Sequence, residues 1–161
     1  MFINVLKKYA SMFEFIWGLK TVAMFDVWTF EHILSGLSVG HLVKKDTRNH
    51  VKNISLIKIF ESHPSVIRFD IIAVLFLAYL WETFEHYLET GLAGAGVEFW
   101  FQGVEMWTNR MIADPLMMVL GYYIALKNPK WIVPARVLSA LWLLIHVFIF
   151  PHSMYLHTIF S

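Results

Sequence analysis

The chain has 161 residues, of which 58% are hydrophobic, 17% aromatic and only 16% charged, against about 25% charged in a typical soluble domain. With a mean hydropathy of +0.57, this composition excludes a disordered, collagen-like or coiled-coil chain and argues against a soluble globular one. A net charge of +1 offers nothing to nucleic acid, and the absence of cysteine removes disulfides, thiolate metal sites and thiol nucleophiles.

The class that remains is all-α: an integral membrane helical bundle forming a single transmembrane domain over 1–161. The length allows about four spans, each of about 20 apolar residues. At the start, Lys7 and Lys8 interrupt the apolar run and no small-residue cleavage site follows, so a signal peptide is not expected. Phe2, Leu6, Phe13, Ile16 and Trp17 predict an N-terminal helix lying in the membrane interface, with a short inserted helix as the alternative. Spans are predicted over 21–43, 69–90, 107–126 and 132–150. The apolar stretch 54–60 is too short to cross and reads as a surface helix. Residues 97–107 predict a second surface helix, with Glu98, Gln102 and Glu105 on one face and Trp100, Val104 and Trp107 on another.

Loop charge gives the sidedness. Lys44, Lys45, Arg48, Lys52 and Lys58 fill the first loop, and Lys127, Lys130 and Arg136 surround the third. Arg110 is the one cation near the second, and the tail after Pro151 has none. Loops one and three therefore face the cytoplasm; loop two and the C-terminus face outward.

Ionisable groups inside spans are costly and mark functional sites. Asp26, Glu31, His32 and His41 fall in the first span, and Glu82, Glu85, His86 and Glu89 in the second. Asn109, Arg110 and Asp114 open the third, and His146 lies near the end of the fourth. With antiparallel spans, most of these reach the outer half of the bilayer. Glu82, Glu85, His86 and Glu89 are spaced i, i+3, i+4, i+7 and share one helix face, which lipid cannot solvate. Gly36-xxx-Gly40 allows close approach of a neighbouring helix, and Pro115 fits a helix whose backbone loosens near the site.

Three chemical readings stay open. A divalent metal could be clamped by Glu82 and His86, with Glu85, Glu89, His32 or Asp114 completing the set; such donors suit zinc, iron or manganese. No HExxH occurs, and the Glu-x-x-His pair of diiron bundles is absent, since Thr83 stands three before His86. Alternatively, crowded carboxyls can divide into a protonated acid and an ionised base. Glu82 or Glu85 would then be the acid and a neighbour or His32 the base, with Asn109 and Arg110 holding an anionic headgroup. The third reading is a hydrogen-bonded network that holds the spans together. The remaining histidines and aromatics read as ordinary: His50 and His63 as loop residues, the tryptophans as interfacial anchors. His152 and His157 belong to a tail that could fold over the site.

Asp26-x5-His32-x3-Gly36, Trp81-Glu82-x2-Glu85 and Asn109-x4-Asp114-x6-Gly121 occur in this order, each in its own span. In that order they resemble the small polytopic VanZ-like proteins and related bacterial membrane families. The resemblance covers about 50 residues, and Arg110, His86 and His146 lie outside its pattern. It implies a bacterial cytoplasmic-membrane protein working near the envelope face, with His32, Gly36, Glu82, Glu85, Asn109, Asp114 and Gly121 carried over. The expected function is binding or modifying an envelope lipid or lipid-linked intermediate. In it Glu82, Glu85, His86, His32 and Asp114 would be catalytic, and Asn109 and Arg110 substrate-binding. The rival is a non-catalytic accessory or assembly subunit, joined to a membrane protein partner or a second copy of itself.

Overall fold

The computed structural model describes residues 12–51, 69–101 and 103–149. They are all-α apart from connecting turns, with no strand among the described residues. Five α-helices follow in order: α1 (Thr29–Val51), α2 (Phe69–Glu89), α3 (Ala95–Phe101), α4 (Asp114–Lys127) and α5 (Ile132–Leu144). A π-helical turn, Asn109–Ala113, leads into α4, and a second, Ile145–Ile149, continues α5. A 3-10 turn at Pro129–Trp131 joins α4 to α5.

The N-terminal part differs from the expected helix 21–43. Residues 12–16 form one helical turn, after which the chain hooks back on itself. Met24 N–H donates to the Phe15 carbonyl at 2.7 Å and Phe25 N–H to Ile16 at 3.0 Å. Asp26 explains why α1 starts late: its Oδ1 accepts from the Trp28 and Thr29 amides at 2.7 and 3.2 Å, capping donors that a helix cannot satisfy itself. Lys44 and Lys45 do not end the helix, which continues to Val51; lysine is a good helix former. The interfacial helix predicted at the N-terminus reaches the described residues only at 12–16. The segment 54–60, His50's neighbours beyond Val51, His63, His152 and His157 lie outside them.

The predicted surface helix 97–107 also divides. α3 ends at Phe101, and Gly103 takes φ +107°, a left-handed conformation open to glycine. Glu105 consequently sits in a loop rather than on the face of Glu98. Gln102 lies outside the described residues.

Helix α4 is central. Val43 of α1, Val74 and Ala78 of α2 and Met118 and Tyr122 of α4 form one core. Leu37, Ala125, Ile132 and Ala135 form another between α1, α4 and α5. The α1–α4 crossing is a backbone contact: a Cβ added to Gly36 would stand 1.9 Å from the Met118 carbonyl oxygen, and one added to Gly121 would stand 2.0 Å from that of Ile33. Gly40 meets Ala125 in the same seam.

The distribution of polarity is inverted relative to a water-soluble bundle. On α2, Glu82 and Glu89 are buried while Ile72, Phe76, Leu80 and Phe84, spaced by four, are exposed. Val133, Val137, Leu141 and Leu144 are exposed on α5. Among the described residues one helix, Asp70–Glu89, is long and apolar enough to cross a membrane by length and composition.

Candidate functional site

The buried polar residues come from four places: the N-terminal hook, α1, α2 and the loop and π turn before α4. Each is placed by a local feature. The capped start of α1 sets Asp26 and, one and a half turns on, His32. The inward face of α2 carries Glu82, Glu85 and Glu89. The π turn presents Asn109 and Arg110 one residue out of α-helical register with Asp114, whose N–H closes the wide turn on the Asn109 carbonyl. Pro115 cannot donate to Met111, and the Tyr79 hydroxyl of α2 donates to that carbonyl instead at 3.1 Å.

One half of the cluster is an ion-pair network around Glu89. Lys20, 1% exposed at the tip of the hook, donates to Glu89 Oε1. Glu89 Oε2 accepts from Arg110 Nη2 at 2.5 Å and from the Glu105 amide at 3.1 Å. Arg110 also lies 3.3 Å from Glu105 Oε2 and 3.7 Å from Glu82 Oε2. The Asn109 amide donates to Glu105 Oε1 at 2.8 Å and to Asp26 Oδ2 at 3.2 Å. Met106 N–H donates to the Lys20 carbonyl at 2.8 Å, tying the hook to the loop. Burial first, then the Glu85 and Asp26 carboxylates, pushes the Glu105 carboxyl up to about 8.

The other half is compact. His32 Nε2 lies 3.4 Å from Glu82 Oε1 and 3.3 Å from Asp114 Oδ2. One donor atom from each of the three lies within 4.8 Å of the others, so they could hold a metal ion. His86, paired with Glu82 in the sequence reading, stands apart from this group. It is exposed and its Nδ1 faces Arg110 Nη1 at 3.3 Å. Its i, i+4 spacing from Glu82 is real, but the inward face of α2 passes through Glu82 and Glu89 and leaves His86 at its edge.

The other expected members are distributed as follows. Glu85 is half-buried in the field of Lys20, Glu89 and Arg110. Glu31 turns to Ser139 and Ser35 and links α1 to α5. His146 is buried between Trp28 and Trp142, with its Nδ1 2.8 Å from the Trp142 carbonyl. Asn109 is fully buried with its amide committed to two carboxylates, and Arg110 is already surrounded by three. Both N–H groups of the Asn109 amide are thus taken, whereas the Arg110 Nε–H has no hydrogen-bond partner. Asp26 and Glu89, candidates from the sequence, belong to the cluster, and so do Lys20 and Glu105, which the sequence does not place there. Lys20 stands immediately before the predicted span 21–43, the position of an ordinary flanking charge.

A cavity of 510 Å³ opens beside the cluster. Buried Glu82, Glu105 and Arg110 line it together with the exposed His86, Tyr79, Tyr87, Trp107, Met111 and Val104 of its rim. Carboxylate acceptors thus stand next to guanidinium and imidazole nitrogens, a mixture that matches hydroxyl groups, which both donate and accept. Compared with known proteins, the chain matches no family model, no curated protein and no solved structure.

Proposed function

We propose that this protein is a four-span integral membrane protein that draws the headgroup of an envelope lipid or lipid-linked intermediate into the cavity beside Glu82. The carrying observation is the cavity itself: an aromatic rim set among exposed apolar side chains, with a charged inner wall. An amphiphile has that same division. The mixed donor and acceptor wall favours a hydroxyl-bearing headgroup over a bare anion. The inverted polarity of α2 and α5 supports insertion, because lipid solvates Phe76 and Leu80 but not Glu82 and Glu89. Three of the residues on which the VanZ-like resemblance rests, His32, Glu82 and Asp114, meet beside this cavity, which supports placing the chain with such proteins in a bacterial cytoplasmic membrane.

Two measurements test the reading. The absence of cysteine makes single-cysteine labelling clean. Ala93→Cys should react with a membrane-impermeant maleimide in intact cells, and Asn128→Cys only after permeabilisation; labelling of both from one side would overturn the four-span arrangement. For the ligand, Val104→Trp fills the cavity from an exposed rim position. Native mass spectrometry of detergent-extracted protein should show a bound lipid on the wild type and at least about tenfold less on the variant, a loss of about 1.4 kcal/mol. Equal retention would overturn lipid binding at this cavity.

A further inference from the structure

We infer that His32, Glu82 and Asp114 hold a divalent transition-metal ion behind the wall of the cavity. Metal binding goes beyond the lipid reading and can be measured without any lipid. The first support is spacing. Across a tetrahedral centre with metal–ligand bonds of about 2.0–2.2 Å, neighbouring donors lie roughly 3.3–3.6 Å apart. His32 Nε2 stands 3.4 Å from Glu82 Oε1 and 3.3 Å from Asp114 Oδ2.

The second support is independent of spacing. Glu82 and Asp114 are each 1% exposed; among the described residues neither Glu82 oxygen has a hydrogen-bond partner, and Asp114 faces the Glu105 carboxyl besides His32. Buried carboxylate oxygens without partners carry a large desolvation cost. The imidazole lies within reach of both carboxylates yet hydrogen-bonds to neither. Donors converging on a common centre have this arrangement; a hydrogen-bonded chain does not. The third support is charge. Among the described residues the cluster gathers Asp26, Glu82, Glu85, Glu89, Glu105 and Asp114 around Lys20 and Arg110, and both cations lie on the Glu89 side. Among the described residues no Lys or Arg pairs with Asp114, and the one cation paired with Glu82 is Arg110, its Nε at 3.7 Å.

One imidazole and two carboxylates suit Zn²⁺, Fe²⁺ or Mn²⁺ rather than Ca²⁺ or Cu⁺. Three protein ligands leave a fourth position, as in sites where a metal binds water or substrate. Glu82 alone of the three lines the cavity, so the site lies behind its wall at that residue.

The test uses full-length protein in detergent, stripped with chelator and titrated with Zn²⁺ and, separately, Mn²⁺. One equivalent of ion should bind. Asp114→Asn, which preserves shape, should weaken binding by at least about 100-fold, more than the loss of an outer hydrogen-bond partner usually costs. His86→Ala should leave metal affinity unchanged. The reverse pattern, with binding lost in His86→Ala and kept in Asp114→Asn, would overturn the assignment, and so would folded wild type that binds neither ion. Should Asp114→Asn fail to fold, pulsed EPR of the Mn²⁺-loaded wild type decides. Coupling to one imidazole nitrogen that persists in His86→Ala supports the site, and no nitrogen coupling overturns it.

Discussion

Replacing Gly36 or Gly121 by alanine should unfold or reorganise the bundle. The added methyl of Gly36→Ala would fall 1.9 Å from the Met118 oxygen, 2.8 Å from its carbonyl carbon and 3.0 Å from the Tyr122 nitrogen. That of Gly121→Ala would fall 2.0 Å from the Ile33 oxygen and 2.9 Å from the Leu37 nitrogen. These are backbone atoms of opposed helices, so no side-chain rotation relieves the clash; the helices must part by more than an ångström. Overpacking of rigid structure costs about 1–3 kcal/mol, and backbone contacts of this kind belong above that range. We therefore expect a loss exceeding about 3 kcal/mol in denaturant unfolding of the detergent-solubilised protein. Gly96→Ala is the control: nothing lies within 4 Å of its added methyl, and alanine favours the α3 helix. Wild-type stability in Gly36→Ala would show that the seam is looser than described. The seam also governs chemistry, because His32 lies one turn before Gly36 and Asp114 two turns before Gly121. Parting the helices would separate two of the three proposed metal ligands.

The second large effect is expected at Glu89. Its two oxygens receive Lys20, Arg110 and the Glu105 amide, and both cations are buried. Glu89→Ala leaves two positive charges without their principal partner. Breaking a buried pair by removing one member costs about 3–5 kcal/mol, more than the intact pair contributes over an apolar replacement. A double substitution, Lys20→Met with Glu89→Leu, should therefore recover part of the loss. The two changes should be strongly non-additive, as expected of groups in direct contact. Additive effects, or a cost below about 1 kcal/mol for Glu89→Ala, would mean that the network does not hold the hook to the bundle.

Some of this site could be read from residue spacing, and the reasons are physical. The shared face of Glu82 and Glu89, the close-approach glycines Gly36 and Gly40, and the loosened backbone around Pro115 all follow from helical geometry, which repeats over a few residues. His32 and Asp114 were drawn in because charged groups inside apolar segments must find one another. What spacing could not show was contact across the chain. Lys20 looks like a flanking charge until the hook carries it 69 residues along the sequence to Glu89. Glu105 looks like part of a helix face until Gly103 breaks the helix. The choice of His32 over His86 beside Glu82 depends on which side of α2 faces α1, and a sequence of one helix does not contain that rotation.

The π turn at Asn109–Ala113 gives the segment a further property. It holds one residue more than an α-helical turn, and each residue of an α-helix advances the chain by about 100° around the axis. Deleting a single residue there would let the segment close into a continuous α-helix. Everything before the deletion would swing by about a quarter turn, while Asp114, Met118 and Gly121 kept their bearings on α1. Asn109 and Arg110 would lose their approach to Asp26 and Glu89. The extra residue acts as a phase offset: it lets one continuous rod address two different azimuths, the ion-pair network with its first half and the His32 side with its second.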